Sequence, residues 1–234
     1  MDEFLRAVAV PKMAVMNKKG FTIIELLVSV LLTSMIMGAI YSVYRVQTHS
    51  AKVQENRLEA QEYARSVLDM IVREIRNAAY NPLSATLGAS CGGGIIAGTP
   101  GIVTATSTAI SFTYDFRGTN STDPPDGDCN DADEEITYQY QSPGPQNCPT
   151  SFGDVTRTAN GSTESLTNCN VTAFSLTYYA QNSSTAMSPV VAASVQRVEI
   201  SVTVKSLKPD AEFGGQLTAT MTSNADLRNR GLPS

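Results

Sequence analysis

The chain has 234 residues, of which 22 are acidic and 17 basic, and its formal net charge is −5. This balance excludes a large nucleic-acid footprint, so we expect no nucleic-acid partner. The only histidine is His49. Without a second histidine the chain offers no histidine-rich metal site and no evident catalytic base, and we therefore expect no enzyme.

Residues 1–20 end on the basic pair Lys18 and Lys19, and an apolar run from Phe21 to Tyr44 follows. A helix of this length would extend about 36 Å, enough to cross a hydrocarbon core of about 30 Å. One alternative is a buried core helix. The other is a cleaved secretory signal, but the apolar run is too long for the apolar region of such a signal. We predict a single-pass membrane helix at residues 21–44, with its start cytoplasmic because of the lysines.

The helical pattern continues through residues 45–82, where apolar side chains recur mostly at intervals of three or four. These side chains are Val53, Ala60, Ala64, Leu68, Ile71, Ile75 and Ala78. Such a stripe is typical of an amphipathic helix that packs against a domain. Because proline disfavours helix in the residue before it, Asn81-Pro82 should end the helix. We predict one continuous helix from Phe21 to about Tyr80.

The remaining residues, 83–234, alternate apolar and polar side chains in several short segments, which predicts antiparallel strands with one buried face. The segments are Ala109–Phe116, Ile136–Tyr140, Val155–Thr158, Ala173–Tyr179, Ser194–Val204 and Gln216–Thr222. Asp115–Glu135 is predicted as a long polar loop. The expected fold class is α+β, with the N-terminal helix packed on a C-terminal antiparallel β-sheet domain.

One charged residue, Glu25, falls inside the apolar run. A charge at the centre of a membrane costs about 2.5–3.5 kcal/mol on insertion scales and usually marks function. Cleavage between Gly20 and Phe21 would create a partner, because the new α-amino group could pair with Glu25 of a neighbouring copy. The alternative is that Glu25 lies near the interface and snorkels.

The segment Gly20–Val28, GFTIIELLV, resembles the class III signal of type IV prepilins and type II secretion pseudopilins. The resemblance implies that prepilin peptidase cleaves after Gly20 and methylates the new N-terminal Phe21, and that Glu25 serves methylation and subunit docking. A leader of residues 1–20 is longer than is usual for this family. A start at Met13 or Met16 would shorten it.

Looser resemblances point to a subgroup, the PilW-like minor pilins and J-type minor pseudopilins. They lie in Ser66–Tyr80, Val171–Tyr179, Arg197–Val202 and Arg228–Leu232. They imply a minor pilin in the initiating or tip complex of a type IV pilus. Its implied partners are prepilin peptidase, other minor pilins, the major pilin and the inner membrane, and its β domain would be periplasmic before reaching the cell-surface pilus. The alternatives are a minor pseudopilin of a type II secretion system and a membrane-anchored calcium-dependent binding module.

All four cysteines follow the predicted membrane helix: Cys91, Cys129, Cys148 and Cys169. Export would place them in an oxidising compartment, where disulfides form. Four cysteines allow three pairings. We favour the sequential pairing, Cys91 with Cys129 and Cys148 with Cys169, because it closes loops of moderate size. The other pairings and buried free thiols remain open.

The predicted loop is rich in carboxylates and begins like an EF-hand, with Asp126, Asp128 and Asn130 at alternate positions. It departs from that motif because Asp131 stands where glycine is required and Thr137 where a bidentate glutamate is required. A solvated acidic loop is therefore the default interpretation. Calcium is retained as an alternative ligand, with five candidate residues: Asp126, Asp128, Asn130, Asp131 and Asp133.

Overall fold

The structure is a computed structural model that describes residues 20–82, 91, 100–118, 120, 122–142, 148, 152–206 and 216–229. The predicted leader is therefore outside the described residues, apart from Gly20. The chain divides into two compact units, residues 1–50 and 51–234. Within the described residues one α-helix, α1, spans Ile23–Asn77.

The first unit contains the apolar part of α1. This helix is long and apolar enough to cross a membrane, and the side chains of its most apolar window are not buried by the protein. Its hydroxyls bond to the helix's own carbonyls: Ser29 to Leu26 at 2.8 Å and Thr33 to Ser29 at 2.7 Å. Internal satisfaction of polar groups is what a lipid environment requires.

The second unit contains the amphipathic part of α1 and two antiparallel sheets. The first sheet has five strands in sequential order: β1 Ile102–Ala105, β2 Ala109–Thr113, β3 Glu135–Gln141, β4 Asp154–Ala159 and β5 Ser162–Ser165. The second has three: β6 Val171–Tyr179, β7 Arg197–Lys205 and β8 Thr218–Asp226. The α+β fold class predicted from the sequence is confirmed.

One hydrophobic core joins the helix to both sheets. The helix contributes Ala60, Ala64, Val67, Leu68, Ile71, Val72 and Ile75, and Ala78 follows directly after its end, all of them buried. Strand β7 shows the clearest alternation, with Val198, Ile200, Val202 and Val204 fully buried. The stripe predicted from the sequence is therefore the buried face, except that Val53 is only half-buried and Val67 and Val72 widen it.

The boundaries differ from those predicted. The helix begins at Ile23 and ends at Asn77 instead of reaching from Phe21 to Tyr80, and Ala79 adopts a left-handed φ of 65°. Strand β2 ends at Thr113, so Phe116 leaves the predicted buried face and is exposed.

Two other strand predictions also need correction. The predicted strand Ser194–Val204 begins only at Arg197, after a short 3₁₀ turn at Ala192–Ser194, and the last strand is shifted to Thr218–Asp226. Strands β1 and β5 were not predicted. Each has only four residues, and β5 is exposed at every position, so neither carries the alternation that reveals a strand.

Candidate functional site

The N-terminal segment places the predicted processing residues at the start of α1. Phe21 is 85% exposed, and Glu25 lies exposed in the first helical turn. The backbone N–H of Glu25 donates to the Thr22 hydroxyl at 3.3 Å, so Thr22 caps the helix. The spacing of Thr22 and Glu25 is that of a capping box, and a carboxylate in the first turn is favoured by the helix dipole. This local role was not predicted from the sequence.

The described cysteines form two disulfides, Cys91–Cys129 and Cys148–Cys169, with Cα atoms 5.0 Å and 5.3 Å apart. Both distances are usual for disulfides. This is the sequential pairing that the sequence favoured. The first bridge attaches to the acidic loop between Asp128 and Asn130, and the second to the loop that precedes β6. Cys129 lies between β2 and β3, and Cys148 lies between β3 and β4. The bridges therefore restrain these two connections of the five-stranded sheet.

Three of the predicted calcium residues come together. Asp126, Asp128 and Asp131 each offer a carboxylate oxygen within 4.8 Å of the others. The turn that gathers them is held by its own side chains, since the Asp128 amide donates to Asp126 Oδ1 at 3.3 Å and the Asn130 amide to Asp128 Oδ1 at 3.0 Å.

The other two predicted residues are used differently. The Asn130 side-chain amide donates to Asp128 Oδ2 at 2.8 Å, so its nitrogen points at the cluster. Asp133 lies beside two arginines, 3.4 Å from Arg117 Nη2 and 3.9 Å from Arg157 Nη2. Its carboxylate is therefore engaged by cations of the protein itself.

Two further carboxylates lie beneath the loop, and neither was predicted from the sequence as a site residue. Glu134 and Asp115 are each fully buried. Glu134 accepts hydrogen bonds from the backbone amides of Phe116, Arg117 and Asp131 at 2.8, 3.0 and 3.2 Å. It thereby clamps the two ends of the loop together. Burial raises its pKa, and these backbone hydrogen bonds oppose the rise.

Asp115 has no such set of donors. Neither of its carboxylate oxygens has a hydrogen-bond partner of standard geometry, although the backbone amides of Asp126 and Gly127 face it. Burial raises the pKa of Asp115, the backbone amides of Gly127 and Asp126 oppose the rise, and the charges of Asp126 and Asp128 add to it. The alternation gave no signal for Asp115, because this residue falls on the polar face, opposite Ile110, Phe112 and Tyr114.

A third polar group joins the helix to the first sheet. Glu74 on α1 accepts a hydrogen bond from the Tyr138 hydroxyl at 2.5 Å and from Arg157 Nε at 3.1 Å. Burial alone would lower the pKa of Arg157, but the hydrogen bonds and charge of Glu74 raise it. Burial raises the pKa of Tyr138, and its hydrogen bond to Glu74 adds to the rise. All three groups are paired, and the arrangement serves packing.

Comparison with known proteins gives one family match. Residues 15–41 match the model of the prokaryotic N-terminal methylation motif, a segment that contains Gly20, Phe21 and Glu25. No curated protein and no solved structure matches the chain. The motif, the apolar helix and the antiparallel sheets together support a type IV prepilin-like protein whose signal implies processing by prepilin peptidase.

Proposed function

We propose that the chain is a minor pilin that enters a type IV pilus in its initiating or tip complex. The observation that carries the proposal is the methylation motif at residues 15–41, which overlaps the start of an exposed apolar helix. An apolar surface of this extent needs lipid before assembly and other helices after it. A filament whose subunits begin as membrane proteins supplies both.

Processing is expected to create the docking group. Cleavage after Gly20 would leave Phe21 as the terminus, with its amino nitrogen close to the first turn of α1. The Thr22 cap fixes where that turn begins, and Glu25 is exposed on it. The carboxylate would then pair with the terminal amine of a neighbouring subunit, because an unpaired charge in a low-dielectric environment is costly.

The size of the exported part favours a minor subunit. Residues 51–234 form a unit with two separate sheets and two disulfide-restrained loops. A subunit at the tip has no neighbour above it, so its domain is free to be bulky. The looser resemblances at Ser66–Tyr80 and Arg228–Leu232 point the same way. We propose a structural role without catalysis, with the β domain held outside the inner membrane.

Purified filaments test this assignment directly. Quantitative mass spectrometry of sheared filaments should find far fewer copies of this chain than of the main pilin, and deletion of its gene should reduce piliation. Comparable copy numbers would overturn the minor-subunit role. Normal piliation together with a defect in protein secretion would favour the pseudopilin alternative.

A further inference from the structure

The acidic loop gathers three carboxylates at one turn. Oxygens of Asp126, Asp128 and Asp131 all lie within 4.8 Å of one another. Calcium binds oxygen ligands at about 2.3–2.6 Å, so two ligands on opposite sides of one ion are about 4.6–5.2 Å apart. The three oxygens are thus spaced so that a single ion of this size contacts all of them.

A second observation is independent of this cluster. The carboxylate of Asp115 is fully buried, and neither oxygen has a hydrogen-bond partner of standard geometry. Its electrostatic neighbours are Asp126 and Asp128, and it faces the backbone amides of Asp126 and Gly127, so it is directed at the same turn. A buried carboxylate without a hydrogen bond of standard geometry is costly, and the nearby acidic groups increase the cost. A cation bound in the turn would compensate the charge of Asp115 and so remove this cost.

Gly118 packs closely against the turn. A side-chain carbon placed on Gly118 would lie 3.1 Å from the Pro124 carbonyl oxygen and 3.4 Å from Asp126 Oδ2. The Cys91–Cys129 bridge and the Glu134 clamp hold the turn on either side of the cluster. By contrast, Glu134 is satisfied by three backbone amides. The loop therefore contains one buried carboxylate with three well-formed hydrogen bonds and a second, Asp115, with none of standard geometry.

We infer that this turn is a calcium site, with Asp126, Asp128 and Asp131 as ligands and Asp115 as the inner carboxylate whose charge the ion compensates. The donors are all carboxylate oxygens, which suit hard cations better than zinc or copper. Magnesium keeps most of its waters and usually binds through one or two carboxylates, so a set of this size favours calcium. Asp133 is excluded because Arg117 and Arg157 engage it.

The test uses the full chain in detergent, first freed of metal with a chelator and then titrated with calcium chloride alone. Calorimetry should show saturable binding at one site, with a dissociation constant of about 10⁻⁴–10⁻³ M as in extracellular modules. The melting temperature should rise by several degrees as calcium is added. Absence of both effects up to about 10 mM calcium would overturn the inference, as would magnesium binding at least as tightly.

Three variants locate the site. Asp128→Asn and Asp115→Asn should each weaken calcium binding at least tenfold. Glu135→Gln removes the same charge from an exposed position beside the loop and should bind calcium like the wild type. Asp115→Asn should be at least as stable as the wild type in chelator, because it removes a buried charge that has no hydrogen bond of standard geometry. Its loss of calcium binding would then not reflect misfolding. Wild-type affinity in Asp115→Asn, or an equal loss in Glu135→Gln, would contradict the site.

Discussion

Arg157 Nε on β4 lies 3.1 Å from the carboxylate of Glu74 on α1, although 83 positions separate the two residues in the sequence. The Tyr138 hydroxyl donates to the same carboxylate. The side chains of Arg157 and Glu74 are 12% and 21% exposed, so water only partly replaces this pairing when it is broken. The pair therefore fixes the helix against the centre of the five-stranded sheet.

Removal of the acidic partner should destabilise the fold. We expect Glu74→Gln to lower the free energy of unfolding by about 1–3 kcal/mol, because it removes the least exposed of the carboxylates that pair with Arg157 and leaves only Glu164 and Asp133. Urea denaturation of the purified protein measures this. Glu62→Gln makes the same change at an exposed position of the same helix and should lie within about 0.5 kcal/mol of the wild type. Equal midpoints for both variants would show that the pair contributes nothing.

The buried tyrosines give stability an alkaline limit. Burial, with the charge of Glu74 next, raises the pKa of Tyr114 from 10.0 to about 12. The unfolded chain therefore loses this proton before the folded chain does. Stability from this group is complete below pH 10 and is lost as the pH rises from 10 towards 12. Tyr114→Phe should flatten that decline.

The measurement is urea denaturation of both proteins over this alkaline range, with phenolate absorbance recorded in parallel. One late-titrating tyrosine should disappear from the absorbance curve of Tyr114→Phe. A wild-type slope in the variant would mean that Tyr114 ionises equally in both states.

The disulfides differ in the length of chain that they close. Their cysteines are separated by 38 positions for Cys91–Cys129 and by 21 for Cys148–Cys169. In the chain-entropy model the loss of the first should cost about 4 kcal/mol and of the second about 3 kcal/mol. Paired serine variants, denatured in urea, test the order. Peptide mapping without reductant should find the two sequential pairs and no free thiols, and any crossed pair would contradict the structure.

Glu25 is expected to act in assembly, not in cleavage. Glu25→Ala should leave processing after Gly20 largely intact and reduce incorporation into sheared filaments, measured by immunoblot. The helix start is a competing explanation, since Thr22 and Glu25 form its cap. Glu25→Gln keeps the helix-start contacts of a capping box and removes only the charge. Loss of incorporation in both variants supports the charge pair, whereas normal incorporation of Glu25→Gln would reject it.

Local patterns were sufficient for much of the fold. The apolar stripe of α1 and the alternation in β3, β6 and β7 are properties of neighbouring residues, and the structure buries the faces that they mark. The short strands β1 and β5 could not be predicted from such local patterns. β5 is an exposed edge strand of four polar residues, and only its pairing with β4 defines it.

For the candidate site, too, local features could be predicted from the sequence and long-range contacts could not. The processing segment is contiguous, so its residues are readable from the sequence alone. The acidic turn could be recognised in the sequence, but the set of side chains that come together there could not. Asp133 points to arginines, and Asp115, which is buried beneath the turn, comes before it in the sequence. The contact between Glu74 and Arg157 depends on how α1 packs on the sheet, which no spacing between the two residues reveals.

The assignment as a prepilin-like subunit is best tested by the mass of the N-terminal peptide of the protein extracted from membranes or filaments. Cleavage after Gly20 and methylation should give a peptide that begins with N-methylated Phe21. A control with Gly20→Leu, which alters the residue before the cut, should retain the leader. An intact leader in the wild type, or a terminus beyond residue 40, would contradict the assignment as a prepilin-like subunit.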